Sequence, residues 1–207
     1  MDSLECTQTI AGPIGTVGMS FYFSPQAIAI GETIELDVVT FYAGGRAGVL
    51  GDVEVLEVDE IFFFFKDGMV AAMAEKARSI ADVELTVAKH LEAASAFAED
   101  TFGAVPVELL ESFSEATAKL LALSPTDRWP LVHGYLKMPI PTEPVAKAYH
   151  YAVILRELRG GVHTDAVKAA GLSDVEAVQL DQGGAMLGLH GYGDEDLSEV
   201  TDELLAR

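Results

Sequence analysis

Apolar residues recur every three or four positions over three long stretches of the chain, the spacing that places them on one face of an α-helix. These stretches are DGMVAAMAEKARSI from Asp67, ADVELTVAKHLEAASAFAEDTF from Ala81 and VPVELLESFSEATAKLLAL from Val105. The third stretch predicts a face made of Val105, Leu109, Leu110, Phe113, Ala116, Leu120 and Leu121. The pattern therefore predicts three consecutive helices in the middle of the chain.

Capping residues set the bounds of the other predicted helices. Ser24 followed by Pro25 is typical of an N-cap with proline in the first turn, and Gly31 ends that helix near residue 30. Thr142 caps a long helix, which we expect Gly160 and Gly161 to end after about residue 159. Further helices are predicted over about 32–43, 163–170 and 173–181 and in the acidic tail; residues 52–65 fit a strand or a helix, and the proline-rich 124–144 indicates an irregular linker.

Two seven-residue stretches nearly repeat each other: RAGVLGD over 46–52 and RGGVHTD over 159–165. Arg, Gly, Val and Asp recur 159 − 46 = 113 residues apart, each time after an apolar helix. We interpret the repeat as a glycine turn in a duplicated helical unit, although four matches in seven positions also arise by coincidence. The predicted organisation is a first helical unit over 1–76, connecting helices with a proline-rich linker over 77–140, and a second helix-turn-helix-like unit over 141–207.

Charge and cysteine content exclude several classes of protein. The 207 residues carry 33 acidic and 13 basic side chains, a net charge of −20, which disfavours general nucleic-acid binding. Cys6 is the only cysteine, so a disulfide scaffold or a cysteine-rich zinc site is excluded. Residues 6–31 are uncharged, but Pro13, Pro25 and several glycines interrupt them and no basic residue precedes them. We expect a buried N-terminal segment and a cytoplasmic protein.

The stretch EPVAKAYHYAVILRELRGGVHTDAVKAAGLSDVEAVQL resembles the C-terminal unit of an actinobacterial family labelled as helix-turn-helix proteins of MarR-like type. The matching features are the aromatic-His pair Tyr149-His150, the LREL-RGGVH motif over 155–163 and the Ala-Gly-Leu turn over 170–172. YFSP, YAGGRAGVLG and IFFFFKDGMV resemble segments of the family's first unit, whereas Gly18 stands where the family tends to have His. The resemblance implies a mostly α fold of two related helix-turn-helix or winged-helix-like units packed around a shared core, with room for short β-wings.

The predicted DNA-reading helix lacks the residues that read DNA. A helix-turn-helix lays its second helix in the major groove, where Arg, Lys, Asn and Gln reach base edges. Here that helix is SDVEAVQLDQ, which contains Asp174, Glu176 and Asp181 and no basic residue, and the wing-like 191–196 is also acidic. We therefore expect no nucleic-acid partner, and a MarR-type transcription regulator is kept as an alternative.

Arginine and histidine near the repeated heptad are the candidate polar residues. Arg156 and Arg159 either cap the helix and pair with carboxylates such as Glu157, or form a clamp for an anion. His150 and His163 are the candidate catalytic residues, with a core histidine and a helix cap as the respective structural alternatives. Neither a metal-binding spacing nor a phosphate-binding loop is present, so no metal or cofactor is predicted.

Aromatic residues are the other candidate feature. The four consecutive residues Phe62–Phe65 cannot all face one side of a helix or strand, so at least one is expected to point away from the local core. The rings either belong to an element that is buried on both faces or line an apolar pocket between the two units. In the second case we predict a pocket rimmed by cations, whose ligand-binding residues are Arg156, Arg159, Arg46, Tyr22, Tyr42, Phe62, Phe63 and Tyr149.

Three functions follow from this pocket and fold. The first is an intracellular small-molecule-binding protein or enzyme, of specialised metabolism, whose hydrophobic ligand bears an acidic group. The second is the MarR-type regulator, and the third is a subunit of a heteromeric enzyme complex. Whether the chain catalyses a reaction stays open, as does its assembly into homo- or hetero-oligomers.

Overall fold

The computed structural model describes residues 21–51, 53–180 and 186–201, and this part of the chain forms nine α-helices and no β-strand. The mostly α prediction is therefore confirmed, whereas the expected short β-wings are absent from the described residues, and the wing-like segment contains the 3₁₀ turn Asp194–Asp196. The helices are α1 (Pro25–Glu32), α2 (Val38–Gly48), α3 (Val55–Ile61), α4 (Met69–Ile80), α5 (Val83–Phe102), α6 (Val107–Ala122), α7 (Pro130–Lys137), α8 (Pro144–Ala169) and α9 (Asp174–Leu180).

Side-chain caps fix the starts of the first two helices. The Ser24 hydroxyl accepts a hydrogen bond from the backbone N–H of Ala27 at 3.1 Å, as its N-cap pattern predicts. The Asp37 carboxylate accepts from the backbone N–H of Thr40 at 2.8 Å and so caps α2. The prediction of a helix over 32–43 is wrong at its start. Helical structure is interrupted between α1 and α2, where Glu35 has a φ of +60°.

The prediction of a first glycine turn is wrong, because α2 continues through these glycines. Gly44, Gly45 and Gly48 lie inside this helix and are buried. A Cβ added at Gly44 would lie 2.5 Å from the Cβ of Ala77 on α4, and one at Gly48 would lie 2.6 Å from a methyl group on α5. The glycines therefore allow α2 to pack directly against two neighbouring helices, and they do not end it.

The second glycine turn is wrong for a similar reason. Helix α8 continues past Gly160 and Gly161 to Ala169, so the helix predicted over 163–170 is its C-terminal part. The indole of Trp129 lies against Gly161, where a larger residue would collide with it. The helix ends where Gly171 adopts a φ of +73°, and the predicted last helix follows as α9.

Three ambiguous stretches are helical in part. Residues 52–65, for which a strand and a helix were both open, contain α3 followed by a turn. The predicted irregular linker contains the 3₁₀ turn Thr126–Arg128 and α7, and α8 begins at Pro144 with Glu143 at its N-cap. The described part of the acidic tail contains only a 3₁₀ turn, and the predicted helix there otherwise lies outside the described residues.

Helix α5 lies at the centre of the fold and packs against α1, α2 and α8. Helix α6 makes extensive contacts with α8 and with no other helix of the described residues. The main apolar core includes Phe21, Tyr22, Phe97 and Tyr149. Of the uncharged N-terminal segment, which was expected to be buried, residues 21–31 are described, and they include buried Phe21 and Tyr22 as well as exposed Phe23 and Ile28. A smaller core joins α2, α3 and α4. The division into units 1–76, 77–140 and 141–207 stays a prediction.

The predicted apolar face of α6 splits into a buried row and an exposed row. Leu110 and Leu121 are buried, together with Ser114 and Thr117 between them. Most of the remaining members face solvent, because α6 contacts the body of the protein along only one narrow side; they are Leu109, Phe113, Ala116 and Leu120.

Candidate functional site

A cavity of about 950 Å³ lies among the described residues. One wall comes from α2 and from residues 60–73, and another wall comes from the C-terminal half of α8 and from residues 186–190. Trp129 and its neighbours close one side. The cavity is therefore lined by segments of both predicted units, and its volume is within the range usual for small-molecule sites.

Three buried charged side chains form the floor of this cavity. Arg46 of α2 donates from Nη2 to Oε2 of Glu157 on α8 at 2.6 Å. Arg156 donates from Nη1 to the other carboxylate oxygen of Glu157, also at 2.6 Å. Only 7% of the Arg46 side chain, 13% of that of Arg156 and 4% of that of Glu157 is exposed. We call these residues the Arg–Glu–Arg triad.

The triad is ionised and carries one net positive charge. Burial alone would raise the pKa of Glu157, but the two guanidinium groups hold it below its ordinary value. Burial opposes the charge of Arg46 as well, yet the carboxylate of Glu157 keeps the pKa of Arg46 well above its ordinary value. Two cations then face one anion, and the Nε of Arg46 has no hydrogen-bond partner among the described residues.

Aromatic rings surround the triad. Tyr42 accepts a hydrogen bond from Nη1 of Arg46 at 2.6 Å and packs edge-on against Tyr22, with their ring centres 4.3 Å apart. The guanidinium of Arg46 lies 4.7 Å from the ring centre of Phe62, and that of Arg156 lies 5.9 Å from the ring of Tyr22. Both arginines are thus stabilised by π-faces as well as by Glu157.

The four consecutive phenylalanines all line the cavity. They lie just after the end of α3, where a turn replaces the helix, so their rings are not restricted to one face. Phe62 is buried in the smaller core, whereas the next three rings are half-buried. Phe63 lies under the ammonium group of Lys168 at 4.6 Å, and Phe64 stacks on His163 with ring centres 5.1 Å apart.

A surface network fixes the side of the cavity formed by Trp129. The indole N–H of Trp129 donates to Asp165 at 3.0 Å, and Nε of Arg128 lies 3.0 Å from the same carboxylate oxygen. The indole lies close to Gly161 of α8, where a side chain would collide with the ring. The two residues of the second heptad, Gly161 and Asp165, therefore position an aromatic wall.

The structure brings most of the predicted site residues together. The residues that line the large cavity are Arg46, Arg156, Arg159, Tyr22, Tyr42, Phe62, Phe63 and His163. Tyr149 and His150 do not line it and instead lie beside a separate cavity of about 30 Å³. Their roles in ligand binding and catalysis stay predictions, with His150 placed among core residues.

The small cavity is surrounded by neutral polar groups. Nε2 of His90 and the hydroxyl of Tyr135 share a hydrogen bond of 3.1 Å. Burial, with a contribution from the charge of Arg46, lowers the pKa of His90 to about 3, and burial lowers the pKa of His150. Both histidines are therefore neutral at pH 7.

Sequence reasoning missed several residues of these sites. Trp129 was assigned to a linker, Lys168 and Asp165 were not considered, and His90 lay unremarked on a predicted helix. The Arg46–Glu157 pair joins residues 111 positions apart, so no local pattern indicates it. The separation of the two heptads was the signal available, since it places Arg46 and the Arg156–Arg159 segment in equivalent positions.

The C-terminal end of α8, the turn at Gly171 and α9 form a helix-turn-helix arrangement. Polar side chains of α9 make contacts within the protein: Asp174 accepts from the hydroxyl of Tyr192 at 2.7 Å, and Gln179 exchanges two hydrogen bonds with the backbone of Ser198. The helix contains no Lys or Arg. Its polar face is therefore engaged internally and offers no cation to a phosphate.

A model of a helix-turn-helix family matches residues 7–207. The chain belongs to this helix-turn-helix family. No curated protein and no solved structure matches it. Within the described residues of this helix-turn-helix protein, no helix has the length and apolar character needed to cross a membrane, and no group of three or more His, Cys, Asp or Glu residues is arranged to hold a metal ion.

Proposed function

We propose that this helix-turn-helix protein binds a small hydrophobic molecule that carries a carboxylate or a similar anionic group. The observation that carries the proposal is the Arg–Glu–Arg triad on the floor of an otherwise aromatic cavity. The triad itself contains two arginines and one glutamate, and its side chains are largely shielded from water, so its charges act strongly on a molecule bound in the cavity. A ligand carboxylate would pair with the arginines, and the rings would cover its apolar part.

The charge of the cavity differs from that of the whole protein. The chain carries a net charge of −20, yet the described residues that line the cavity include five cations against three carboxylates: Arg46, Arg128, Arg156, Arg159 and Lys168 against Glu60, Glu157 and Asp165. A local excess of cations inside an acidic protein focuses an attractive field on the cavity. This contrast favours an anionic small molecule over a polyanion such as DNA, which the remaining surface would repel.

Two further points belong to this proposal. His163 lies on the cavity wall beside Phe64, where it would act as a general base if the bound molecule reacts. We also propose, from the resemblance of the sequence, that the family is the MarR-like one of actinobacteria and that the ligand belongs to specialised metabolism inside the cell.

The test is isothermal titration with 4-phenylbutyrate and with its primary amide, which has the same shape but no charge. We expect the acid to bind at least about tenfold more tightly than the amide, because only the acid carries a negative charge that can pair with the arginines lining the cavity. Arg156→Gln should lower the affinity for the acid about 10- to 100-fold and leave that for the amide nearly unchanged.

Arg78→Gln is the matched control, since Arg78 donates to the carbonyl of Val53 and does not line the cavity. This variant should bind the acid as the unmodified protein does. Equal affinity for acid and amide, or equal loss in the two variants, would contradict the proposal. Folding of each variant is checked by thermal unfolding before titration.

A transcription regulator of MarR type is the second candidate, which family membership and the α8–α9 arrangement favour. Gel-shift measurements with random duplex DNA between 25 and 200 mM salt separate the two functions. A regulator binds at low salt and loses affinity steeply as salt rises, whereas the ligand-binding function predicts no shift at any salt concentration. Co-purification from the native host tests the third candidate, a subunit of a heteromeric enzyme.

A further inference from the structure

Helix α6 presents an apolar stripe to solvent along its whole length. Leu109 is 61% exposed, Leu120 is 49% exposed and Leu123, which directly follows the helix, is 87% exposed. Phe113 and Ala116 are exposed between them. Isolated exposed leucines are common in folded proteins, but a continuous row of them marks an interaction surface.

The spacing of the stripe is that of a coiled-coil seam. Its five members are separated by four, three, four and three residues, the alternation that keeps one row facing a partner helix. The row extends over about 21 Å at 1.5 Å per residue. The buried row of α6, which contains Leu110 and Leu121, is a different face and packs on α8. The helix therefore has a second apolar face that nothing in the described structure covers.

The stripe is complementary to itself when two copies run antiparallel. Leu109 and Leu123 each lie seven residues from Ala116, and Phe113 and Leu120 lie three and four residues from it. A two-fold axis through Ala116 would place Leu109 against the partner's Leu123 and Phe113 beside the partner's Leu120. The small side chain at the centre lets the two backbones approach, which is the self-complementarity that an isologous interface needs.

Charge along α6 favours the same orientation. Glu108 and Glu111 lie in its N-terminal half, Glu115 lies just past its midpoint and Lys119 lies nearer its C-terminal end, all of them exposed. Antiparallel pairing brings Lys119 of each copy beside the acidic half of the other and opposes the two helix dipoles favourably. Parallel pairing would instead place the three glutamates of the two copies side by side.

We propose that the protein forms a homodimer through antiparallel pairing of α6, with the two-fold axis at Ala116. The occupant of the stripe is a second copy of this chain. Sedimentation equilibrium of the full chain should give about 2 × 22.1 = 44.2 kDa at tens of micromolar protein. A mass of 22.1 kDa at that concentration overturns the proposal, whatever else covers the stripe.

Substitution locates the interface. Leu120→Glu should raise the dissociation constant of the dimer about 100-fold or more, because it places a carboxylate in the apolar seam of each copy. Leu85→Glu, at a leucine on α5 that is 44% exposed, adds the same charge outside the stripe and should leave the dimer intact. Both sites are exposed, so both variants should unfold at temperatures near that of the parent. A dimer that survives Leu120→Glu overturns the proposal.

Disulfide trapping determines the orientation. In a Cys6→Ser background, subunits with Leu109→Cys are mixed with subunits with Leu123→Cys and oxidised. Antiparallel pairing gives the mixed disulfide, whereas parallel pairing gives each variant linked to itself. Predominance of the self-linked products would overturn the antiparallel arrangement even if the protein is a dimer.

Discussion

The two cavities of this protein bury polar groups in opposite ways. The large cavity has the Arg–Glu–Arg triad on its floor, with three ionised side chains held by hydrogen bonds of 2.6 Å. The small cavity is surrounded by His90, Tyr135, Tyr149 and His150, all of them neutral at pH 7 because burial lowers the pKa of the histidines and raises that of the tyrosines. The polar side chains of the triad are ionised, whereas the four polar side chains around the small cavity are neutral.

This difference separates a recognition site from a core. Burying a neutral imidazole costs less than burying an ion: Nε2 of His90 keeps a hydrogen bond to Tyr135, although its Nδ1 has no partner among the described residues. Burying three charges costs several kcal/mol per ion before their attraction offsets it, and apolar residues would fill the space more stably. A protein that retains such a triad beside a cavity gains from its charge, which supports the proposal that an anion binds there.

Substitution of Glu157 gives the most direct test of the difference between the charged and the neutral cavity. Glu157→Gln keeps the shape of the side chain but removes the buried carboxylate that Arg46 and Arg156 share. We expect the free energy of unfolding to fall by about 3–5 kcal/mol, because removing one partner of a buried ion pair is costly. Urea denaturation followed by circular dichroism measures the loss.

Asp165→Asn is the control for that measurement. Asp165 pairs with Arg128 at the surface, where 38% and 62% of the two side chains are exposed. Such a pair contributes about 1 kcal/mol or less, so this variant should unfold at nearly the parent's urea concentration. Equal losses in the two variants would show that the triad behaves as a surface network and that its buried charge has no special cost.

Local patterns predicted the helices but not where two of them end. The apolar periodicity of 67–122 and the Ser24 cap were sufficient for α1, α4, α5 and α6. The glycine runs misled the prediction, because glycine both ends helices and permits helices to pack closely, and sequence alone does not distinguish these uses. Gly45 and Gly161 serve the second use, against His90 and Trp129.

The sequence allowed us to predict which types of residue form the candidate site, but not which of these residues contact each other. The repeated heptads and the aromatic clusters indicated Arg46, Arg156 and the phenylalanines, which the structure brings to one cavity. His150 was weighed as a catalytic residue because its helix resembles a family segment, yet α8 turns it towards the small cavity. The face that a residue presents depends on which neighbours α8 packs against, and this is a property of the whole fold.

Alanine substitution at two helical glycines, Gly45 and Gly160, compares a closely packed position with one that has free space around it. A Cβ at Gly45 would lie 2.5 Å from Nδ1 of His90, in a core that cannot yield easily, so Gly45→Ala should lower the free energy of unfolding by about 1–3 kcal/mol. Gly160 is also inside a helix but has nothing within 4 Å, so Gly160→Ala should raise it by about 0.5–1 kcal/mol. Chemical denaturation of both variants tests this, and a loss at Gly160 would contradict it.

The last expected effect is a change in how the free energy of unfolding depends on pH, and it concerns the small cavity. The pKa of His90 is about 3 in the folded protein, against an ordinary value of 6.5 in the unfolded chain. Above pH 6.5 His90 is neutral in both the folded and the unfolded state, so its burial does not make the free energy of unfolding depend on pH. As pH falls from about 6.5 towards about 3, the unfolded chain binds a proton that the folded protein does not, so stability falls by about 1.4 kcal/mol per pH unit.

His90→Gln removes this term, so its free energy of unfolding should fall less steeply between pH 6 and pH 4 than that of the parent. The charged groups acting on His90 from α2 and α8 are Arg46, Arg156 and Glu157, which both proteins share. Glu157 and Asp37, whose pKa is lowered to about 2, also make the parent less stable in acid, but they affect both curves equally. Parallel curves would mean that His90 is protonated while buried, and the small cavity would then hold charge as the large one does.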